Sequence, residues 1–193
     1  MHYYKKGKGG RPRDIYVTIR GVDLVLQVPP GLFSSKGLDK GTELLLEFME
    51  VPEEGKVLDV GCGYGVVGLF MKKYNPKLEV YMVDVNPQAV KISKLNAQRN
   101  SLEVNVIQGD TYEPLDRLGV KDFTTIVSNP PLAAGKETVE RIIRGAPERL
   151  RKGGSLQVVL AKGGEWGEAL FKELFKDVER KRKKGYTLLR GWI

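Results

Sequence analysis

Two hydrophobic periods alternate along this chain. Apolar residues recur at every second position over 15–20 and again over 22–28, on either side of Gly21, as in a β-hairpin. Pro29, Pro30 and Gly31 stop that pattern. Over 39–49 the apolar residues Leu44, Leu45, Phe48 and Met49 take helical spacing instead. Short apolar runs and helical stretches then take turns. Strands are expected at 56–60, 80–83, 104–107, 124–127 and 156–160. Helices are expected at 66–74, which Pro76 ends, and at 87–99, with Pro87 in its first turn. Two more are expected at 137–150, its last turn distorted by Pro147, and at 166–175. Residues 178–193 read as two strands around Gly185. This alternation predicts a doubly wound α/β fold, its sheet mostly parallel and covered on both faces. The closing pair of strands predicts an antiparallel edge.

The chain divides on this reading into a basic arm (1–13), a hairpin-and-helix appendage (14–50) and an α/β domain (51–193). At 193 residues it suits one α/β domain with a small addition. A composition of 41% hydrophobic and 29% charged residues is that of a chain with a buried core. No window approaches the ~18 apolar residues of a membrane span, so no membrane partner is expected. One cysteine, Cys62, rules out an internal disulfide and suits a reducing cytoplasm. The net charge of +8 is unevenly placed. Residues 1–13 carry five basic side chains and no acid, and residues 172–193 carry eight basic against three acidic. The stretch between them has 19 basic and 21 acidic residues. Basic ends on a near-neutral middle attract a polyphosphate backbone; a solvated, charged surface is the competing reading, and for either end alone the two weigh about equally.

The densest chemistry lies in Asp59-Val60-Gly61-Cys62-Gly63-Tyr64-Gly65, between a strand and a helix. Gly61, Gly63 and Gly65 allow a tight turn and close approach of backbone to a ligand. Gly63-x-Gly65-x-x-Gly68 also fits a dinucleotide fingerprint, so the glycines leave two cofactors open. Asp59 tips the balance. A carboxylate at that strand end suits a ligand ammonium, as in S-adenosylmethionine, better than a pyrophosphate. Asp84 ends the next strand, where an acid grips ribose hydroxyls, and Asp110 follows the third, near an adenine. A helix cap or turn aspartate is the alternative for each, closest for Asp110. The fourth strand runs into Ser128-Asn129-Pro130-Pro131-Leu132. The Asn129 side-chain oxygen and the Pro130 carbonyl can accept the N–H bonds of an amine whose lone pair is delocalised. The successive prolines keep that backbone stiff. His2 is the only histidine and no Cys/His cluster exists, so no metal site is expected. Cys62, without a paired histidine, reads as packing.

Taken together, Val57 to Gly65 resembles motif I of class I S-adenosylmethionine-dependent methyltransferases. Asp84 with Asn86-Pro87 resembles their ribose motif, and Asp110 their adenine motif. The resemblance covers about residues 31–162 and implies a Rossmann-like sheet of seven strands. Asn129-Pro130-Pro131 resembles the N-P-P-[FY] motif of amino-group methyltransferases, with Leu132 where the aromatic stands. Gly31-Leu32-Phe33-Ser34-Ser35-Lys36-Gly37-Leu38-Asp39-Lys40-Gly41-Thr42 is similar to the segment before motif I in ribosomal-RNA guanine-N2 methyltransferases with an MTS domain. Pro131 to Lys136 resembles the stretch after their N-P-P. Bacterial members carry a further N-terminal domain that these 193 residues lack, so the likeness looks closest to compact archaeal relatives. What it implies is metal-free methyl transfer from S-adenosylmethionine, forming N2-methylguanine in ribosomal or transfer RNA. Asn129 and Pro130 are then catalytic. Asp59, Gly61, Gly63, Gly65, Asp84, Asn86, Asp110 and Thr42 hold the cofactor, and Phe33, Leu132 and Lys136 meet the substrate. Methylation of a protein glutamine or a DNA adenine, a nicotinamide-dependent dehydrogenase, and a non-catalytic RNA-binding protein are the alternatives.

Overall fold

The computed structural model describes residues 11–30 and 37–193. Phe33 lies outside the described residues, as does most of the basic arm. The arm's last residue, Arg13, already belongs to the first strand. Strands β1 (Arg13–Ile19) and β2 (Val22–Val28) pair antiparallel around Arg20 and Gly21, both at positive φ. Helix α1 (Lys40–Phe48) follows, capped by Asp39, whose carboxylate accepts from the Thr42 N–H. Then come β3 (Lys56–Val60), α2 (Val66–Tyr74), β4 (Glu79–Asp84), α3 (Pro87–Arg99), β5 (Asn105–Gln108), α4 (Glu113–Leu118) and β6 (Phe123–Ser128). The chain closes with α5 (Gly135–Gly145), β7 (Leu150–Leu160), α6 (Gly164–Leu174), β8 (Asp177–Lys183) and β9 (Tyr186–Trp192).

The seven-stranded sheet has the order β5-β4-β3-β6-β7-β9-β8. Its first five strands are parallel and β9 runs antiparallel between β7 and β8. Side chains alternate across it with the strand period of two. Val57, Val127 and Val159 join the core under α1 and α2, while Leu58, Ile126 and Val158 join the core under α5 and α6. The hairpin shares the first of these cores through Leu24 and Leu26. Its outer strand edge is paired too. Asn96 on α3 and Asn100, its C-cap one turn later, exchange hydrogen bonds with the backbone of Gln27 and Val25.

Helix α4 escapes the sequence pattern because six residues are too few to show a period. The helix expected over 137–150 stops at Gly145. Pro147 has no N–H to continue it, and the chain turns instead into β7, which starts six residues before the expected strand. Gly153-Gly154 therefore sits inside a strand. A side chain at Gly154 would come within 2.9 Å of the Phe123 carbonyl, and the register with β6 shifts there. No helix among the described residues is long and apolar enough to cross a membrane.

Candidate active site

The sheet sets where a ligand can sit. Sequence-adjacent strands β3, β4 and β5 step outward in one direction, and β6 and β7 in the other. The loops leaving β3 and β6 thus diverge and open a crevice at the switch point. Val60 is paired with Ser128, whose hydroxyl donates to the Val60 carbonyl at 2.8 Å. This brings the glycine loop and Asn129 to opposite sides of one cavity of about 400 Å³.

The glycine loop turns its amides inward. The Gly61 and Cys62 N–H groups both donate to the Val83 carbonyl, at 2.8 and 3.0 Å. The Gly63 N–H donates to Asp84 Oδ2 at 2.9 Å and the Gly65 N–H to the Cys62 carbonyl at 2.9 Å. The Gly68 N–H, in the first turn of α2, donates to Asp59 Oδ2 at 3.2 Å. Positive φ at Gly61, Gly63 and Gly65 makes this arrangement possible. A pyrophosphate would need those amides free. From behind, Ser93 donates to the Gly63 carbonyl and Asn96 to the Tyr64 carbonyl. Both polar side chains are fully buried, and no spacing signal in the sequence separates them from exposed positions of α3.

The electrostatics agree with the loop. Among the described residues lining the cavity are Asp39, Asp59, Asp84 and Asp110, and no lysine or arginine. Burial pushes the Asp59 carboxyl up to about 7; the Gly68 N–H works against that rise and nearby Asp84 adds to it. Burial raises Asp84 as well, opposed by the Asn86, Gly63 and Val85 N–H groups. An acid-walled cavity of this kind suits a ligand bearing an ammonium and hydroxyl donors and disfavours one bearing phosphates. Cys62 is buried and burial raises its thiol, consistent with packing.

Asp110 also lines the cavity, but both its oxygens accept from Arg141 on α5, at 3.0 and 3.1 Å. That pair keeps its carboxyl below the ordinary range and bridges the β5 and α5 sides of the crevice. Three expected site residues sit differently from the expectation. Asn86 is outside the cavity lining; its side chain caps α3 by accepting from the Gln88 N–H, because Pro87 fixes a helix start directly after it. Thr42 lines the cavity, but its hydroxyl is held by Asp39 and Asn129. Lys136 also lies off the cavity lining, with its ammonium 4.7 Å from the centre of the Trp166 ring.

On the far wall, Asn129 donates from Nδ2 to Thr42 Oγ1 at 2.9 Å. Pro130, Pro131 and Leu132 continue along the rim, and Leu132 is 63% exposed. Tyr186, at the start of β9, completes this side; its ring packs against Gly41. The sequence places Tyr186 in a strand and holds no sign that it reaches the crevice. The basic run beside it is divided by the strand period. Arg180 pairs with Glu168 on α6, while Lys181 lies over the Phe48 ring and Lys183 pairs with Glu47 on the other face. No group of acidic, histidine or cysteine side chains suited to a metal occurs among the described residues.

Known proteins match this architecture and this sequence. Residues 23–190 match the family described as methyltransferase small domain. An uncharacterised Bacillus subtilis protein, YbxB, is 35% identical over 98% of this chain and 97% of its own length; this relative is bacterial, where the resemblance points to archaeal ones. The ribosomal RNA small subunit methyltransferase C of Serratia proteamaculans is 39% identical over 71% of this chain, which spans only 40% of that relative. Among solved structures, the Thermus thermophilus 16S rRNA N2 G1207 methyltransferase (RsmC), in complex with AdoMet and guanosine, matches with a TM-score of 0.81 at 26% identity. The match covers 95% of this chain and 51% of that one. A ribosomal protein L11 methylase from Lactobacillus delbrueckii shares the fold, with a TM-score of 0.69 at 20% identity. With a family match over nearly the whole chain and an acid-walled crevice at its switch point, the protein belongs to the methyltransferase small domain family and is a methyltransferase.

Proposed function

We propose that this enzyme transfers the methyl group of S-adenosylmethionine to the exocyclic amine of a guanine in RNA, forming N2-methylguanine, with ribosomal RNA as the substrate. The observation that carries this reading is the pairing of two walls in one cavity. One wall holds Asp59 and Asp84, buried with no lysine or arginine among the described residues that line the cavity; the other holds Asn129, with its amide nitrogen engaged and its oxygen without a partner among the described residues. The relatives named for ribosomal RNA methylation support the choice of RNA, and the basic termini agree with it.

Bound in the crevice, S-adenosylmethionine supplies a methyl group already activated by its sulfonium, so no metal is required. Asp59 answers the ammonium of the ligand, and Asp84 has lone pairs remaining for ribose hydroxyls. The turns at Gly61, Gly63 and Gly65 let the ligand lie against backbone, and Asp110 stands at the adenine edge. The guanine amine is a weak nucleophile because its lone pair is shared with the ring. With Asn129 Oδ1 and the Pro130 carbonyl accepting its two N–H bonds, the lone pair would point at the methyl group. As the N–C bond formed the S–C bond would break, S-adenosylhomocysteine would leave and one N–H proton would pass to solvent, since neither acceptor is a base. Leu132, on the rim, meets the base and Lys136 a phosphate; Phe33 keeps only the substrate-binding role that the sequence resemblance implies.

The test is transfer of radiolabelled methyl groups into ribosomal RNA, transfer RNA, DNA and release factors, followed by nucleoside analysis. Label in ribosomal RNA as N2-methylguanosine is expected. Label confined to protein would overturn the substrate. Mapping the methylations lost from a deletion strain would then name the nucleotide.

A further inference from the structure

We propose that Asp39 and Thr42 are positioning residues that set which end of the Asn129 amide faces the reacting amine. The inference rests on the reading of Asn129 as an acceptor for that amine. Its observation is a chain of three hydrogen bonds with only one polarity. Asp39 Oδ1 accepts from the Thr42 N–H at 3.0 Å, and Asp39 Oδ2 accepts from the Thr42 hydroxyl at 2.6 Å. A carboxylate has no proton to give, so the Thr42 hydroxyl proton points to Asp39. Thr42 Oγ1 then offers Asn129 only lone pairs, and only the amide NH₂ can meet them. The contact is Nδ2 to Oγ1 at 2.9 Å. The oxygen end is thereby turned away from Thr42.

An unconstrained asparagine would have two orientations, and the wrong one sets NH₂ against the N–H bonds of the target. The relay removes that alternative. Its first member is built into the chain as the N-cap of α1, and Thr42 is only 4% exposed. Gly41 keeps that side clear: a Cβ there would stand only 3.3 Å from Asn129 Oδ1 and 3.0 Å from the Tyr186 ring. Thr42 thus contributes to the methyl-accepting wall through its hydroxyl, in contrast to the cofactor role that resemblance implied for it.

Three variants separate polarity from packing. Thr42→Val keeps the volume and the backbone bond to Asp39 but removes the acceptor. Asp39→Asn keeps the cap only if its amide oxygen takes the Thr42 N–H. Its NH₂ then faces Thr42 Oγ1, the hydroxyl proton swings toward Asn129, and the relay runs backward. Thr42→Ser preserves every bond. We expect Thr42→Val and Asp39→Asn each to lower kcat about tenfold, as the loss of one hydrogen bond to a reacting group does, with the S-adenosylmethionine Kd moved less than about twofold. Thr42→Ser should recover most of that loss. In an Asn129→Ala background, Thr42→Val should cost nothing further, because both act through one amide. If Asn129→Ala is crippled while Thr42→Val and Asp39→Asn stay near wild type, the relay is wrong and the acceptor role stands. Additive losses, or a change in cofactor Kd in place of kcat, also overturn the relay. Normal turnover in Asn129→Ala overturns the acceptor role and the relay with it. Should Asp39→Asn fail to fold, shown by its thermal midpoint, the Thr42 pair and the double variant still decide.

Discussion

The two walls of the crevice are built on opposite principles. The cofactor wall is over-determined. Its turn is fastened by hydrogen bonds from four loop amides, it is braced from behind by Ser93 and Asn96, and two buried carboxylates are each partly spent on the loop itself. The proposed methyl-accepting wall has, among the described residues, one side-chain tether, Asn129 to Thr42, together with two stiff prolines and an exposed leucine at the rim. A ligand that never changes can be met by a rigid, buried surface. A nucleobase arriving on a macromolecule needs an open rim and a few aligned groups. Damage to the first wall should therefore show in binding, and damage to the second in turnover.

The largest effect expected from breaking this comparison is in chemistry. Asn129→Ala should lower kcat by about 10²–10³, the usual cost of removing one preorganised group at a reacting centre, with cofactor affinity held. Steady-state kinetics beside calorimetry checks it, and a loss of affinity without a loss of kcat would reverse the assignment of the walls. Next comes the cofactor wall. Asp84→Ala should weaken S-adenosylmethionine by roughly 1–3 kcal/mol, the cost of losing hydrogen bonds to a charged group. Calorimetry should also find no comparable affinity for NAD, since the loop amides are already committed.

A subtler break uses pH. The folded Asp59 carboxyl sits near 7, above the ordinary value of about 4, so folding retains a proton that the unfolded chain has released. Its contribution to stability is complete below pH 4 and is lost as pH rises through 7. Ligand-free protein should thus lose stability from pH 4 to 7, and Asp59→Asn should flatten that slope in urea melts taken at intervals across the range. Equal slopes would mean that Asp59 is ionised in the fold. An ammonium ligand favours the ionised form, so its affinity should rise across the same interval. The smallest effect concerns the rim. Leu132→Phe should lower the KM for RNA by roughly fivefold, at the weak end of base–aromatic stacking, and leave the cofactor Kd alone. A changed Kd with an unchanged KM would place residue 132 on the wrong wall.

Much of the first wall was legible in the chain. Asp59, the three glycines and Asp84 are consecutive features of one strand–loop–helix–strand unit, and local spacing puts them together. The second wall was legible only in part. Asn129 and its prolines stand out as a motif, yet Asp39 and Tyr186 gain their roles from residues 90 and 57 positions away in the chain. The position of Asn86 off the cavity lining has a local cause. An asparagine before a proline at a helix start looks alike whether it serves a ligand or the helix, and here it serves the helix.

The sequence alone determined the α/β alternation, the antiparallel edge and the order of the acidic strand ends, because each follows from a period or a turn within a few residues. Only the tertiary structure decided that the loops after β3 and β6 open on one cavity, and that the loop amides point inward. The helix cap at Asp39 likewise reached Asn129, through Thr42, only on folding. These depend on which strands become neighbours and on the direction of each hydrogen bond, and neither is written in local periodicity.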